Sequence, residues 1–261
     1  MTDLKTVSYT YENDIAVIKL NQPDVMNALT PQVNAELTSS IIKAGKEARV
    51  IVITGAGRAF CSGANLAGSG VSNGPDRDLG QMLTDHYTPL VKALIDSPVP
   101  IIASVNGPAV GFGCSLALAC DLIIAGKSAY FQQAFCKIGL IPDGASAFFL
   151  AHSVGRARAS EMMLLGEQYD AETSKQIGMI NQVVEDDALE STVMGIAQKL
   201  TNGAPIALSL TRKLAWKAIN TTIDEQLALE AEFQTKAGRT NDFLEGVMAF
   251  MQKRLPKFRG N

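Results

Sequence analysis

The apolar positions of the chain form short runs that predict alternating strands and helices as far as about residue 150. Val7, Tyr9 and Tyr11 alternate with polar residues, as in a half-buried strand, and an apolar run begins at Ile15 after a polar turn. The remaining elements of this part are strands over 49–54, 101–105 and 122–125 and helices over 30–44, 78–96 and 113–120. This alternation indicates an α/β fold with right-handed crossovers.

Beyond residue 150 the pattern is mostly helical. Helices are predicted over 156–166, 171–178, 187–202, 206–220, 224–236 and 240–255. The last helix has one apolar face, formed by Phe243, Val247, Met251 and Leu255 with Leu244 and Met248 beside them. We interpret this face as docked on the core of its own chain, with a subunit interface as the alternative.

The run from Ser97 to Cys120 contains no charged residue and is long enough to span a bilayer. Pro98, Pro100 and Pro108 interrupt any single helix there, which favours a strand, a loop and a helix start. The first 14 residues have no apolar core of a signal peptide. We therefore expect a cytoplasmic protein with no membrane contact.

Composition narrows the classes further. Hydrophobic residues make up 47% and charged residues 19%, which excludes disorder and hints at additional burial by oligomerisation. A net charge of -3 does not suggest a nucleic-acid partner. The two His and four Cys form no zinc-ligand spacing, so we expect no metal, and we interpret Cys61 and Cys114 as packing residues.

Three glycine-rich turns, over 57–66, 106–116 and 139–146, follow predicted strands. Glycine lets a backbone approach a ligand closely, and the amides near Phe112 lie where a helix begins, so a pair of them could stabilise an oxyanion. A dinucleotide fingerprint fails because Leu116 stands at the third glycine position. No P-loop motif is present, and the one Gly-x-Ser-x-Gly match, at 70–74, falls in a Gly-, Ser- and Asn-rich stretch and not directly between a predicted strand and a predicted helix, as a serine-hydrolase elbow requires.

Four segments taken together resemble the crotonase (enoyl-CoA hydratase/isomerase) superfamily. They are QPDVMNALT at 22–30, GRAFCSGANL at 57–66, the stretch 98–125 and FQQAFCKIGLIPDGA at 131–145, with Gln22 in place of the family's usual His. The resemblance runs from residue 7 to Phe258. It implies a spiral of ββα units over 1–200, a helical trimerisation region over 201–261, and a homotrimer or a dimer of trimers.

The resemblance also implies site residues. The two oxyanion amides fall on Ala64 and Phe112, and most relatives have glycine at the second position, so the Phe112 side chain should reshape the acyl pocket. Backbone groups around Ala28, and from Ala64 through Asn65 to Leu66, would hold the coenzyme A adenine. Lys257 is a candidate for its phosphates. Coenzyme A is then part of an acyl-CoA substrate, and no separate cofactor is expected.

The departures from the family pattern concern carboxylates. Hydratases of the family carry two glutamates, and these positions correspond to Ser115 and a residue close to Phe135. Monofunctional isomerases place their acidic residue where this chain has Asp143. We expect an apolar setting to raise the pKa of Asp143, and we name its members as Phe135, Ile138, Leu140 and Phe148.

Syn hydration uses two acid/base groups, whereas shifting a double bond needs one base that returns its proton elsewhere. The sequence therefore favours Δ3 to Δ2 enoyl-CoA isomerisation with Asp143 as the acid/base. The alternatives are an enoyl-CoA hydratase, an aryl-CoA dehalogenase-like enzyme with Asp143 as nucleophile, and a non-catalytic acyl-CoA-binding protein. Asp143 could also be only a helix N-cap. Asp121 is interpreted as structural, and His86 as a surface residue near the acyl pocket.

Overall fold

The computed structural model describes residues 4–65 and 78–261. Its strands are β1 (Val7–Glu12), β2 (Ile15–Leu20), β3 (Val50–Gly55), β4 (Ile101–Val105), β5 (Ala109–Val110), β6 (Leu122–Gly126), β7 (Tyr130–Gln132), β8 (Gln168–Asp170) and β9 (Gln182–Val184). Six of them form one sheet in the order β1-β2-β3-β4-β6-β9, in which only β1 and β2 pair antiparallel. The strands β5, β7 and β8 form a second, smaller sheet.

Helices follow the strands and then dominate the last third of the chain. They are α1 (Pro31–Glu47), α2 (Leu79–Met82), α3 (Thr88–Ile95), α4 (Phe112–Leu118), α5 (Ser146–Ser153), α6 (Gly155–Leu165), α7 (Ala171–Gln176), α8 (Leu189–Thr201), α9 (Pro205–Ala218), α10 (Ile223–Gly238) and α11 (Asn241–Met251). The start of α1 shows how local chemistry sets a boundary, because the Thr30 hydroxyl accepts a hydrogen bond from the Val33 amide at 3.3 Å. Pro31 follows as the first helical residue.

The large sheet is covered on both faces. Ile51 and Ile53 of β3 point into the larger core cluster with residues of α1, and Val50 and Val52 point into the cluster that α8 covers. A strand buried on both faces is apolar at every position, which explains the unbroken run that predicted a parallel strand here. The α/β architecture is confirmed. The division at residue 200 stays a prediction.

Several element predictions need correction. The helix expected over 78–96 is α2 and α3 joined by a π-helical turn, Leu83–Tyr87. Helix α5 was not predicted, and strands continue after residue 150 as β8 and β9. These strands have three residues each, which is too short for a periodicity to be visible.

The apolar face of the last helix does not dock on the core of this chain, so that interpretation was wrong. Helix α11 ends at Met251, and its buried residues are Asp242 and Ala249. Phe243, Met251 and Leu255 have exposed fractions of 52%, 76% and 87%. The carboxylate of Asp242 instead accepts hydrogen bonds from the Arg259 and Gly260 amides and ties the C-terminal tail to the helix.

Asp121 has the structural role that the sequence suggested. Its carboxylate accepts hydrogen bonds from Arg212 Nε at 2.7 Å, from Trp216 Nε1 at 2.9 Å and from the Ile101 amide at 2.8 Å. The buried Arg212 guanidinium also donates to carbonyls at the end of α3. These hydrogen bonds hold α9 against the sheet. The role of Asp121 is therefore structural.

The uncharged run from Ser97 to Cys120 contains β4, β5 and α4, as its prolines and glycines predicted. In the part of the chain that the structure describes, no helix has the length and apolar character needed to cross a membrane.

Candidate active site

Two glycine-rich turns meet at the ends of β3 and β4. The Cys61 amide donates to the Pro108 carbonyl at 3.0 Å, and the Val110 amide donates to the Cys61 carbonyl at 2.9 Å. On the other side, the Leu29 amide donates to the Gly63 carbonyl at 2.7 Å. These bonds hold the turn around Ala64 between the N-terminal strand connection and the turn that leads into α4.

Two backbone amides at the junction of these turns have no hydrogen-bond acceptor among the described residues. Ala64 pairs with Leu29 through a short parallel bridge, in which the Gly63 carbonyl and the Asn65 amide make the hydrogen bonds. The N–H group of Ala64 itself takes no part in this bridge. Phe112 is the first residue of α4, where an amide has no carbonyl one turn earlier in the helix to bind. Within residues 4–65 and 78–261, neither the Ala64 nor the Phe112 amide donates a hydrogen bond. The two predicted oxyanion donors are therefore both uncommitted.

Both residues line one cavity of about 630 Å³. In the described lining, the wall outside the turns is apolar except for the hydroxyl group of Tyr87 and one carboxyl group, that of Asp143. The remaining lining side chains in the described chain are Ser62, Leu79, Met82, Leu83, Tyr87, Val110, Ala134, Phe135, Ile138, Leu140 and Ile141. A concave apolar site with a few convergent polar groups is the usual form of a small-molecule site.

Asp143 lies in this wall with its side chain largely removed from water. Burial raises the pKa of its carboxyl group to about 7, from an ordinary value of 3.8. Its Oδ1 atom is buried and has no hydrogen-bond partner among the described residues. The N-cap interpretation is wrong, because α5 begins after Ala145 and no side chain caps it. An unpartnered buried carboxyl group in a cavity is poised to exchange protons with a ligand.

The π-helical turn was not predicted and contributes one wall. It brings Leu83 and Tyr87 to the cavity, and the Tyr87 ring packs edge-on against Phe112 with ring centroids 4.8 Å apart. Burial first, and the charge of Asp143 second, raise the pKa of Tyr87 to about 12. An extra residue in a helical turn shifts the face that follows, and such turns are common at functional sites. No residue type marks a π turn reliably, so the sequence had no usable signal.

The apolar surroundings of Asp143 differ in part from the predicted set. Phe135, Ile138 and Leu140 line the cavity as expected. Phe148 does not, because it packs against Phe149 and His152 on α5. Residues of the 79–87 helical segment line the cavity instead. They are far from Asp143 in sequence, so their proximity to it was not predicted.

The other candidates fall into three groups. Ala28 is buried next to Leu29, and Ala64 and Asn65 lie beside that same strand connection. Leu66 lies outside the described residues. Lys257 is exposed in a separate groove formed by α11 and the C-terminal tail, where its backbone amide donates to Glu245 Oε1 at 2.8 Å. The coenzyme A contacts of these residues stay predictions.

Neither cysteine near the turns is activated. Cys61 and Cys114 are buried, and burial raises the pKa of each thiol to about 12. His86 is exposed and does not line the cavity. No group of three His, Cys, Asp or Glu side chains in the described chain could hold a metal ion. The chemistry available to the cavity in these residues is that of one carboxyl group and two amide donors.

Comparison with known proteins assigns this arrangement to a family. The model of the enoyl-CoA hydratase/isomerase family matches residues 10–261. A probable enoyl-CoA hydratase of Rhodobacter capsulatus is 42% identical over 98% of both chains. The 1,2-epoxyphenylacetyl-CoA isomerase of Escherichia coli is 40% identical over 95% of this chain and 96% of its own.

Solved structures agree with these relatives. An enoyl-CoA hydratase subunit from Geobacillus kaustophilus superposes with a TM-score of 0.92 at 31% identity, covering all of both chains. The enoyl-CoA hydratase of Bacillus anthracis gives 0.91 at 29% identity, over 98% of this chain and all of its own. With matched motifs, fold and nearly full-length relatives, the chain belongs to the enoyl-CoA hydratase/isomerase family and is an acyl-CoA enzyme of the crotonase superfamily.

Proposed function

We propose that the protein moves a double bond in an enoyl-CoA thioester from the Δ3 to the Δ2 position. The observation that carries this proposal is the unpartnered carboxyl group of Asp143, the one carboxyl group in the described cavity lining, in the same cavity as the two uncommitted amides. One carboxyl group and an oxyanion site are sufficient for an allylic shift. Δ3 isomerisation needs no water and no second acid.

The proposed reaction has two proton transfers. The Asp143 carboxylate takes the α-proton, the C–H electron pair becomes the enolate π bond, and negative charge collects on the thioester oxygen. The amides of Ala64 and Phe112 donate to that oxygen and lower the energy of the enolate. The neutral Asp143 then returns its proton at the γ-carbon, so the double bond ends between the α- and β-carbons. Atoms and charge balance without a co-reactant.

Hydration of a 2-enoyl-CoA is the second candidate, favoured by the names of the Rhodobacter relative and of the Escherichia coli 2,3-dehydroadipyl-CoA hydratase, which is 33% identical. It would require Asp143 both to activate water and to supply the α-proton, because the described part of the cavity lining holds no second carboxyl group. Isomerisation requires only that Asp143 remove one proton and return it, and we therefore prefer it.

Two assays of the purified protein separate these functions. We expect 3-enoyl-CoA to be converted to the 2-enoyl product with a rise in the absorbance of the conjugated thioester. We expect 2-enoyl-CoA to exchange its γ-protons in D2O without net loss of absorbance. Hydration faster than isomerisation would overturn the proposal, as would halide release from an aryl-CoA. Stabilisation by acyl-CoA without turnover of any of these substrates would indicate a binding protein.

The pH profile of isomerisation is expected to follow Asp143. Because the base must be ionised and burial raises its pKa to about 7, kcat/KM should rise with pH through one ionisation near 7 and level off above it. An acid limb centred near pH 4 would contradict the buried base. The measurement is kcat/KM between pH 5 and pH 9 in buffers of constant ionic strength.

Phe112 is expected to limit the size of the acyl group. Its backbone supplies the amide, while its buried ring fills space between Tyr87 and the Asp143 turn. The Phe112→Leu variant should keep the amide and increase the ratio of kcat/KM for ten-carbon over six-carbon 3-enoyl-CoA by about tenfold. Phe149→Leu is the matched control, since that buried ring packs on Trp216 outside the cavity. An equal ratio in both variants would refute this role.

We also propose that the apolar face of α11 joins copies of the chain into a homotrimer or a dimer of trimers. Exposed Phe243, Met248 and Met251 support this, because a contiguous apolar surface of this kind favours association. Light scattering of the intact protein measures the state directly. A monomer at micromolar concentration would be inconsistent with it.

A further inference from the structure

Ser115 lies one helical turn beyond Phe112 on α4 and is almost fully buried. Its hydroxyl group donates a hydrogen bond to the backbone carbonyl of Asp143 at 3.0 Å. The Gly111 carbonyl is 3.4 Å from the same hydroxyl, but it already accepts the Cys114 and Ser115 amides. The carbonyl of Asp143 accepts one amide, that of Ser146 at 3.1 Å, and lies closer to the hydroxyl group, so it is the better acceptor. The bond joins two segments that are 28 residues apart in sequence.

The turn that carries Asp143 also packs directly on this helix. Gly144 has φ +61°, a conformation that favours glycine. A Cβ atom added there would lie 2.7 Å from a ring carbon of Phe112 and 2.8 Å from the Cβ of Ser115. No other residue could bring the turn so close to α4. The oxyanion amide of Phe112 and the backbone of Asp143 are thus held by one turn of one helix.

We propose that Ser115 is a positioning residue, whose hydroxyl group fixes the Asp143 backbone at a set distance from the Phe112 amide. Enolate formation requires the base to act on the α-proton and the oxyanion donors to act on the thioester oxygen, three bonds away, so small changes in their separation are costly. At the position where the family resemblance places a hydratase glutamate, this chain uses a neutral hydroxyl group to hold the turn of Asp143, the one carboxyl group in the described cavity lining. The inference rests on the proposed isomerase function.

Loss of the bond should alter Asp143 itself. Without the hydroxyl group the 143–144 turn can move away from α4, and the carboxyl group gains contact with water. Its pKa should then fall towards the ordinary value, because burial is the cause of its elevation. Among the described residues, Tyr87 is the titratable group that interacts with Asp143 by charge, and Cys61 in turn interacts with Tyr87. Burial raises the pKa of both to about 12, so both stay neutral below pH 9.

The test compares Ser115→Ala and Ser115→Thr with Ser97→Ala in the full chain. Ser97 is an equally buried serine whose hydroxyl donates to the Val99 carbonyl at 2.8 Å, away from the cavity. We expect Ser115→Ala to lower kcat for 3-enoyl-CoA about tenfold, to leave KM within twofold and to move the acid limb to lower pH. Ser115→Thr, which keeps the hydroxyl group, should have the acid limb of its pH profile at the wild-type position. Ser97→Ala should lower only Tm.

A second readout is independent of turnover. The carboxyl titration of Asp143, followed by NMR of protein labelled with 13C at aspartate Cγ and assigned with Asp143→Asn, should shift to lower pH in Ser115→Ala alone. An unchanged titration, with Tm lowered as in Ser97→Ala, would overturn the positioning role. If wild-type protein fails to isomerise 3-enoyl-CoA, the proposed function fails, and the titration still decides the role of Ser115.

Discussion

Asp143→Asn is expected to lower kcat for 3-enoyl-CoA isomerisation by about 10³-fold or more, because it removes the only carboxyl group in the described part of the cavity. Asparagine has nearly the same shape but cannot accept a proton at neutral pH. The oxyanion amides belong to the backbone and are not altered, so acyl-CoA binding should persist. The measurement pairs the isomerase assay with the dissociation constant of a saturated acyl-CoA.

The same substitution should not destabilise the fold at high pH. A carboxyl pKa raised to about 7 in the folded protein, against 3.8 for the free group, means that the native state binds the extra proton between these values. The free energy of unfolding therefore falls as pH rises from about 4 to 7 and stays low above 7. Asparagine removes this charge, so Asp143→Asn should melt at or above the wild-type Tm at pH 8.

Asp85→Asn is the control for charge. Asp85 lies on the π-helical turn beside the cavity, but it is exposed and its carboxylate accepts from Gln81 Nε2 at 2.8 Å. This variant should isomerise at the wild-type rate. If Asp143→Asn retained more than a tenth of wild-type kcat, Asp143 would not be the acid/base. If Asp85→Asn lost as much activity as Asp143→Asn, the loss of a negative charge near the cavity, and not the loss of the base, would explain the fall in kcat.

The second large effect is expected from Gly113→Ala. A Cβ atom at position 113 would lie 2.1 Å from the carbonyl oxygen of Cys61 and 2.8 Å from its carbonyl carbon. Backbone atoms cannot give way as a side chain can, so the start of α4 and the turn before Ala64 must separate. We expect kcat to fall about 10²-fold or more, because the two amides no longer converge on one oxygen. The unfolding free energy should drop by about 1–3 kcal/mol.

Gly195→Ala serves as the matched control for the methyl group. Gly195 lies within α8, and a Cβ atom there would meet no heavy atom within 4 Å. Alanine in that helix should be neutral or stabilising by up to about 1 kcal/mol and should leave kcat unchanged. Wild-type turnover by Gly113→Ala would mean that the contact of the two turns does not define the oxyanion site. Urea unfolding and the isomerase assay provide the two measurements.

The elements that the sequence predicted well are those whose signal is local. Thr30 and Pro31 mark the start of α1, and the β-branched residues of β3 mark a strand covered on both faces. The predictions failed where the signal depends on distant residues. The exposed face of α11 has the same periodicity as a buried one, since periodicity reports that a face is apolar and not which molecule covers it.

The site was predictable to a similar degree. The glycine turns and Asp143 were found because particular residue types stand at matched positions of a known family. The wall contributed by Leu83 and Tyr87 was not found, because a π turn changes the direction of a helix face without a residue signature. Phe148 was assigned to the wrong surroundings, because nearness in sequence to Asp143 does not decide which way a side chain on the following helix points.

By itself, the sequence determined the α/β class and the family and named the candidate site residues, since these depend on residue type, local spacing and motif order. Only the tertiary structure decided that, among the described residues, the amides of Ala64 and Phe112 have no acceptors and the carboxyl group of Asp143 is unpartnered and shielded. The physical reason is that hydrogen-bond satisfaction and desolvation are properties of surroundings. Those surroundings come from segments as far apart in sequence as Leu29, Tyr87 and Ser115.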